Sequence, residues 1–293
     1  MTKSGIFTPN EIKAENGLQL GKVIFEHTPV IYYLNKKGRP EPVASAFALK
    51  FEDDHFIVTA SHTLRNFEDY SLGIVPGARW IELNGEHAFS DSEKIDEDKL
   101  DVAVFKLQTK TVQEIAGQLK FFDLKGFYPD HEDVEGNSYA IVGHPVTKVK
   151  LNHAEGKQHL SPFMYLSDLN QQDKMFANQG FSKLTHQLFN YRRRRIYDFS
   201  MNMVQGPKPN GLSGSGLWKF SDLIEDDYRS IKYFPTGVVI EYIREYSALV
   251  ITRINVVTEI IRRHFNANVR PSVALKDGND WHKYLEINWQ AHE

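Results

Sequence analysis

Short runs of β-branched and aromatic residues, each closed by turn-forming residues, recur along the first half of the chain and set the strongest limit on its fold. Val23-Ile24-Phe25, Val30-Ile31-Tyr32-Tyr33-Leu34, Ala46-Phe47-Ala48-Leu49, Phe56-Ile57-Val58-Thr59 and Val102-Ala103-Val104-Phe105 read as strands. Asn35-Lys36-Lys37-Gly38, Glu52-Asp53-Asp54 and Pro76-Gly77 between them read as hairpin turns or short loops. Strands this short and this closely spaced predict an all-β barrel or sandwich rather than alternating strand–helix units. A second group follows: Tyr139-Ala140-Ile141-Val142, Gly216-Leu217-Trp218, Gly237-Val238-Val239-Ile240 and Ala248-Leu249-Val250-Ile251. Two groups in 293 residues fit two units at roughly 150 residues each.

Helical signals are few. Thr111-Val112-Gln113-Glu114-Ile115-Ala116 reads as a helix-prone connector between the groups. Val256, Val257, Ile260 and Ile261 recur at helical spacing, with Asn255 placed to cap the start. Beyond them, Trp281, Tyr284 and Trp289 are spread among polar residues, which suggests a tail from about Asn266 to Glu293 that folds back onto the body.

Composition removes whole classes of chemistry. With no cysteine, there are no disulfides, thiolate metal sites or Cys nucleophiles. A net charge of −3 argues against a generally basic nucleic-acid binder, and no apolar run approaches the ~18 residues that cross a bilayer. The first residues lack the apolar core of a secretory leader, so the chain as written is expected to stay in the cytoplasm. The histidines, His55, His144 and His264 among them, show no metal-ligand spacing and read as structural. Neither a metal nor a cofactor is expected. Arg192-Arg193-Arg194-Arg195 is the one charge block, and it reads as an exposed solvated segment before it reads as a phosphate-backbone contact.

Three strings carry candidate chemistry. Phe56 to His62 is a strand that ends in small residues and a histidine, Leu100 to Phe105 places Asp101 at the head of an apolar strand, and Asn210 to Trp218 sets Ser213 among glycines before another strand. Alone, each is more often structural. Together they give the order His, Asp, Ser, which among the convergent Ser-His-Asp solutions is the chymotrypsin order. Ser215 rivals Ser213, and Asp96 and Asp98 rival Asp101. Only Ser213 has a glycine two residues before it, and only Asp101 directly enters the strand.

At all three places the chain resembles the trypsin-like serine protease family. Thr59-Ala60-Ser61-His62 is similar to its Thr-Ala-Ala-His, Asp101-Val102-Ala103-Val104 to its Asp-Ile-Ala-Leu, and Gly211-Leu212-Ser213-Gly214-Ser215 to its Gly-Asp-Ser-Gly-Gly. Gly143-His144-Pro145 resembles the Gly-Tyr-Pro turn of cysteine-free bacterial members. The resemblance spans roughly Val43 to Phe265, while the stretch from about Lys148 to Ser200 is longer than the usual core. It implies two six-stranded antiparallel β-barrels with a C-terminal helix. The first would be residues 1–125 with His62 and Asp101, the second 126–265 with Ser213, and the tail 266–293.

It also implies roles. Ser213 is the expected nucleophile, His62 the general base and acid, Asp101 the group that orients the imidazole, and the backbone N–H groups of Gly211 and Ser213 the oxyanion hole. Pro207, Lys208, Asn210, Glu241 and Tyr242 would border the primary substrate pocket. No carboxylate precedes Ser213 in Pro207 to Leu212, so uncharged, mainly apolar or small side chains are the expected preference. Leu212 stands where secreted members have an Asp that pairs with a freed N-terminal amine, so activation by N-terminal cleavage is not expected. The expected partners are a protein or peptide substrate and a regulatory protein. A catalytically silent peptide binder, or a nucleic-acid-associated protein using Arg192 to Arg195, are the alternatives.

Overall fold

Alternation of apolar residues along the strands divides the interior into separate clusters. In the computed structural model the described residues are 9–275, apart from 66, 68, 77–78, 91–98, 134–137, 146–148, 153–156, 161–162, 168, 195, 198–202 and 226. Asp96, Asp98, Arg195 and the aromatic residues of the tail therefore lie outside the described residues.

The first half contains helix α1 (Pro9–Phe25) and strands β1 (Val30–Leu34), β2 (Pro40–Ser45), β3 (Phe47–Phe51) and β4 (Asp54–Ala60). Helix α2 (His62–Arg65) follows, then β5 (Leu72–Ile74), β6 (Ile81–Glu82), β7 (Gly85–Phe89), β8 (Val102–Leu107), α3 (Thr109–Ile115) and β9 (Phe122–Asp123). They pair as a four-stranded sheet, β2-β1-β5-β6, and a five-stranded sheet, β7-β8-β4-β3-β9. Inward residues of both sheets meet in one cluster: Ile31, Ile74 and Ile81 from the first, Ile57, Ala103 and Phe105 from the second.

The second half runs through β10 (Ser138–Gly143), β11 (Lys150–Asn152), β12 (Lys157–His159), β13 (Phe163–Ser167), β14 (Leu169–Asn170), α4 (Asp173–Gln179) and β15 (His186–Asn190). It ends with β16 (Ile196–Tyr197), β17 (Met203–Val204), β18 (Gly216–Phe220), β19 (Tyr233–Ile243), β20 (Ala248–Arg253) and α5 (Ile254–His264). Seven of these strands form one sheet in the order β13-β10-β18-β19-β20-β15-β14, while β11–β12 and β16–β17 are separate two-stranded ribbons. The large sheet is buried on both faces. Ile141, Leu217, Val239, Phe189 and Ile251 form a cluster on one side. Ala140, Val142, Trp218, Val238 and Val250 face the main core, shared with Phe47, Phe56 and Val104 of the first half and with α5. The protein is thus mostly β-sheet, with a seven-stranded antiparallel sheet and a C-terminal helix.

Two sequence expectations are corrected. Val23-Ile24-Phe25 is not a strand but the last turn of α1. Leu20 and Ile24, one helical turn apart, are buried, and Gly17 and Gly21 repeat the same spacing. A Cβ on Gly17 would lie 2.9 Å from Leu166 Cδ1 and one on Gly21 2.5 Å from Met164 Sδ, so the glycines let the helix lie close on β13. Asn255 is not the cap of α5: β20 runs straight into the helix and Arg253 is the capping residue, without a side-chain cap. Asn255 sits inside the first turn and donates to Leu184 O at 3.1 Å.

After α5 the chain turns back, and Ala267, Val269 and Leu275 join the main core. Glu259 fixes this return, accepting from Arg262, from Arg263 and from Ser272 N–H. Burial works against its charged form, but those donors outweigh it and hold the carboxyl below its ordinary value. The connector read over Thr111 to Ala116 is helical through Ile115, within α3, and Ala116 is the C-terminal capping residue.

Two buried histidines tie the halves together. His186 Nε2–H donates to Lys99 O at 2.7 Å, and the His144 backbone N–H donates to Ser45 Oγ at 2.8 Å. Burial pushes both rings down to about 4 from the ordinary 6.5. In the unfolded chain they take up protons near pH 6.5, so below that pH the unfolded state binds more protons. Their contribution to stability is complete above pH 6.5 and is lost as pH falls toward 4. Urea midpoints should drop across that window, and His186→Gln should flatten the drop; equal slopes in both proteins would count against this account.

Candidate functional site

Strand register brings His62 and Asp101 together. β4 pairs antiparallel with β8, with Ala60 opposite Val102. One step further, Ser61 therefore faces Asp101, and Ser61 N–H donates to Asp101 O at 3.1 Å. There β4 ends and α2 begins at His62. Asp101 has φ of 45°, a left-handed conformation that Asp tolerates better than most residues. Its carboxylate turns back over the strand end. Oδ1 accepts from Ser61 Oγ at 3.0 Å and from His62 N–H at 2.7 Å, while Oδ2 contacts His62 Nδ1 at 2.5 Å.

This geometry fixes a tautomer. An ionised carboxylate only accepts, so Nδ1 carries the proton, and in the neutral ring Nε2 carries the lone pair. Asp101 is 8% exposed, whereas a third of the His62 side chain reaches solvent. The arrangement holds the imidazole at the surface with the Asp101 carboxylate behind it.

Ser213 lies in the turn that leads into β18 and is partly exposed. Gly214 N–H donates to Val239 O at 2.8 Å and Val239 N–H donates to Ser215 O at 2.9 Å, so β19 holds the turn from one side. Gly214, at φ of 82°, lies against the other half, and a Cβ there would overlap Ser45 O and Thr59 Oγ1. Thr59 is three residues before His62 on β4. The turn bearing Ser213 is thus seated on the strand end that delivers His62.

A buried polar lock surrounds that seat. Thr59 Oγ1 donates to Ser45 O at 2.7 Å, and Ser45 Oγ donates to His144 O at 2.9 Å. Gly143 closes it from β10, since a Cβ there would overlap Ser215 Oγ. Ser215 is fully buried and cannot meet a substrate. Leu212 is fully buried as well, packed in the cluster of the second sheet, so apolar contact anchors the residue before Ser213.

Of the two expected oxyanion-hole donors, Gly211 lies in a single 3₁₀ turn, Pro209–Gly211, and its N–H donates to Lys208 O at 3.2 Å. The cause is local: Pro209 at the first position of the turn favours the i to i+3 bond that closes it.

The residues expected around the primary pocket divide by exposure. Pro207 is buried, and its carbonyl accepts from Tyr191 OH at 2.9 Å. Tyr191 is itself fully buried and meets Tyr242 edge-on at 6.0 Å. Lys208 and Glu241 are exposed, and the Asn210 side chain lies outside the described residues. Arg192 and Arg194 are exposed, while Arg193 Nε–H donates to Gly206 O at 2.9 Å and is tied to the same loop.

Sequence reasoning missed Ser61 as a partner of Asp101, although its hydroxyl directly before His62 was the available signal. It also missed Ser45, which nothing in its surroundings marks. No family model and no curated protein matches this chain. Among the described residues no cluster of His, Asp and Glu is arranged to hold a metal. No helix there is long and apolar enough to cross a membrane.

Gly214→Ala tests the seating of the turn. Left-handed strain and overpacking against Ser45 and Thr59 together cost about 2 to 5 kcal/mol. Urea denaturation should show a loss of that order, and an unchanged midpoint would mean that the turn is not pressed against β4.

Proposed function

We propose that this chain is a serine endopeptidase of the chymotrypsin-like kind, acting through Ser213, His62 and Asp101 and held in a regulated state. The observation that carries this reading is the 2.5 Å contact of His62 Nδ1 with Asp101 Oδ2, next to the turn that bears Ser213. The pairings support the matching fold. In the first half β1 pairs with β2, β3 with β4, β4 with β8, β8 with β7, β6 with β5 and β5 with β1. Only Ala46 interrupts β2 and β3, and only Leu83 and Asn84 interrupt β6 and β7. Read through those interruptions, the ladder closes on itself as one six-stranded barrel in residues 1–125. The curled seven-stranded sheet, with β14 as an extension, supports reading 126–265 as the second barrel.

In the mechanism, Ser213 Oγ attacks the peptide carbonyl carbon as its proton passes to His62 Nε2. Asp101 holds the other ring nitrogen and stabilises the imidazolium. Collapse of the tetrahedral intermediate breaks the C–N bond, the amine leaves with the proton from His62, and water then hydrolyses the acyl-Ser213 ester by the same relay. A donor missing from the oxyanion site costs about 10²–10³ in rate. The Gly211 bond to Lys208 therefore makes this a low-activity state until the turn reopens, the form a regulatory partner acts on. The half-buried Tyr242 ring, with Lys208 and Glu241 solvated, suits uncharged apolar or small side chains.

The closed turn also favours a second reading, a catalytically silent peptide-binding protein. Labelling with a fluorophosphonate separates the two. The first reading expects covalent label on Ser213, none in Ser213→Ala or His62→Ala, and labelling slowed about 10³–10⁴-fold in Asp101→Asn. The adduct should also shift the Gly211 amide resonance as its bond to Lys208 breaks. Folded protein that takes no label, or Ser213→Ala that labels as well as the parent, would sink the first reading.

A further inference from the structure

Away from Ser213, the segment that links the two halves forms a cleft with the start of α5, with β15 and with the chain after α5. Its volume is about 440 Å³, and its walls include Asp130, His131, Asp133, Gln187, Arg253 and Asn255. A space of that size takes a small molecule or one side chain.

Two buried amides in the wall have fixed orientations. Gln187 is 2% exposed and Asn255 3% exposed. Gln187 Nε2–H donates to Asp133 Oδ1 at 2.5 Å, and Asn255 Nδ2–H donates to Leu184 O at 3.1 Å with Asp130 Oδ1 at 3.5 Å. Those partners only accept, so neither amide can be flipped. Gln187 Oε1 and Asn255 Oδ1 are left without a partner, and so is His131 Nε2. An unpaired buried acceptor costs about 1–3 kcal/mol. Two such oxygens, Gln187 Oε1 and Asn255 Oδ1, on residues lining one cleft mark a place where donors are wanted; each has under 1 Å² of exposed surface, so a donor reaches them as the cleft wall shifts.

The charges point the same way. Asp133 is matched by the Arg253 guanidinium. Asp130 accepts only neutral donors: Ser272 Oγ–H at 2.5 Å, Val273 N–H at 2.6 Å and the distant Asn255 amide. No cation pairs with it among the described residues. Lys183 at the rim is already paired with Asp173. Burial, helped by the Lys219 charge, holds His131 at about 4, so at neutral pH its ring adds no competing cation.

We propose that this cleft binds a protonated primary amine, whose ammonium pairs with Asp130 and donates to Asn255 Oδ1 and Gln187 Oε1. The three N–H donors of such a group match one carboxylate and two amide oxygens. The ligand is either a free alkyl amine or a lysine side chain on a partner. Occupancy acts on a wall that reaches the candidate site. Arg253 Nε–H donates to His186 O at 3.0 Å, and His186 and Thr252 bind the carbonyls of Lys99 and Leu100, just before Asp101. The inference does not depend on the peptidase reading.

Calorimetric and NMR titration of the full chain with cadaverine and with N-acetyl-lysine amide tests it, using 1,5-pentanediol and KCl as controls. Saturable binding of one or both amines is expected, with shifts at the Gln187 and Asn255 side-chain amides and none from the diol. Tighter cadaverine assigns a free amine, and tighter acetyl-lysine amide assigns a side chain. Asp130→Asn and Gln187→Met should each weaken binding about tenfold, or 1.4 kcal/mol. Since the first touches the chain after α5, the second decides if the first does not fold. No saturable shift in the wild-type protein, equal binding of pentanediol or potassium, or full affinity in folded Gln187→Met would overturn the proposal.

Discussion

The antiparallel register of β4 on β8 is the constraint on which the rest of the site depends. Because Ala60 faces Val102, the next residue of each strand meets its neighbour just where both ladders end. A slip of one residue would turn Val58 and Val104 off the main core and Ile57 and Phe105 out of their own cluster, so burial on both faces of the sheet enforces the pairing. The contact between imidazole and carboxylate is then a by-product of core packing. Its fine adjustment comes from Asp101, whose left-handed backbone brings three donors onto one carboxylate.

The second half is set against the first by small polar groups more than by ion pairs. Ser45, Thr59 and the His144 backbone form a closed network, and Thr252 Oγ–H reaches Leu100 O at 2.5 Å. Each neutral bond contributes about 1 kcal/mol net, yet removing one partner leaves a buried group stranded at a larger cost. Such a seam is weak in total and strict in geometry. Glycines at 143 and 214 let the two backbones approach closely enough for it to form.

Much of this was legible in the sequence where a short local signal sufficed. The runs at Val30, Phe56, Val102, Tyr139 and Ala248 each lie in strands, because alternation and β-branching are properties of a few adjacent residues. Helix α1 was not legible, because Gly17 and Gly21 count against a helix by propensity and count for it only once β13 is known to lie beneath them. Asn255 looked like a cap because its type suits one, but the continuity of β20 with α5 moved the boundary by a residue or two. Among the site residues, His62 and Asp101 could be paired from chain order. The direction of the Gly211 N–H could not, since it depends on the turn that Pro209 starts.

His62, Ser61 and Asp101 all belong to the first half, and Ser213 belongs to the second. Chains leave the ribosome from the N-terminus at about 5–20 residues per second, so the interval between synthesis of Asp101 and of Ser213 is on the order of ten seconds. During that time the His62–Asp101 pair can assemble on a nascent chain that has no serine turn to seat beside it. Assembly of the complete constellation therefore waits for β18 and β19, and the order of translation alone separates formation of the pair from its meeting with Ser213.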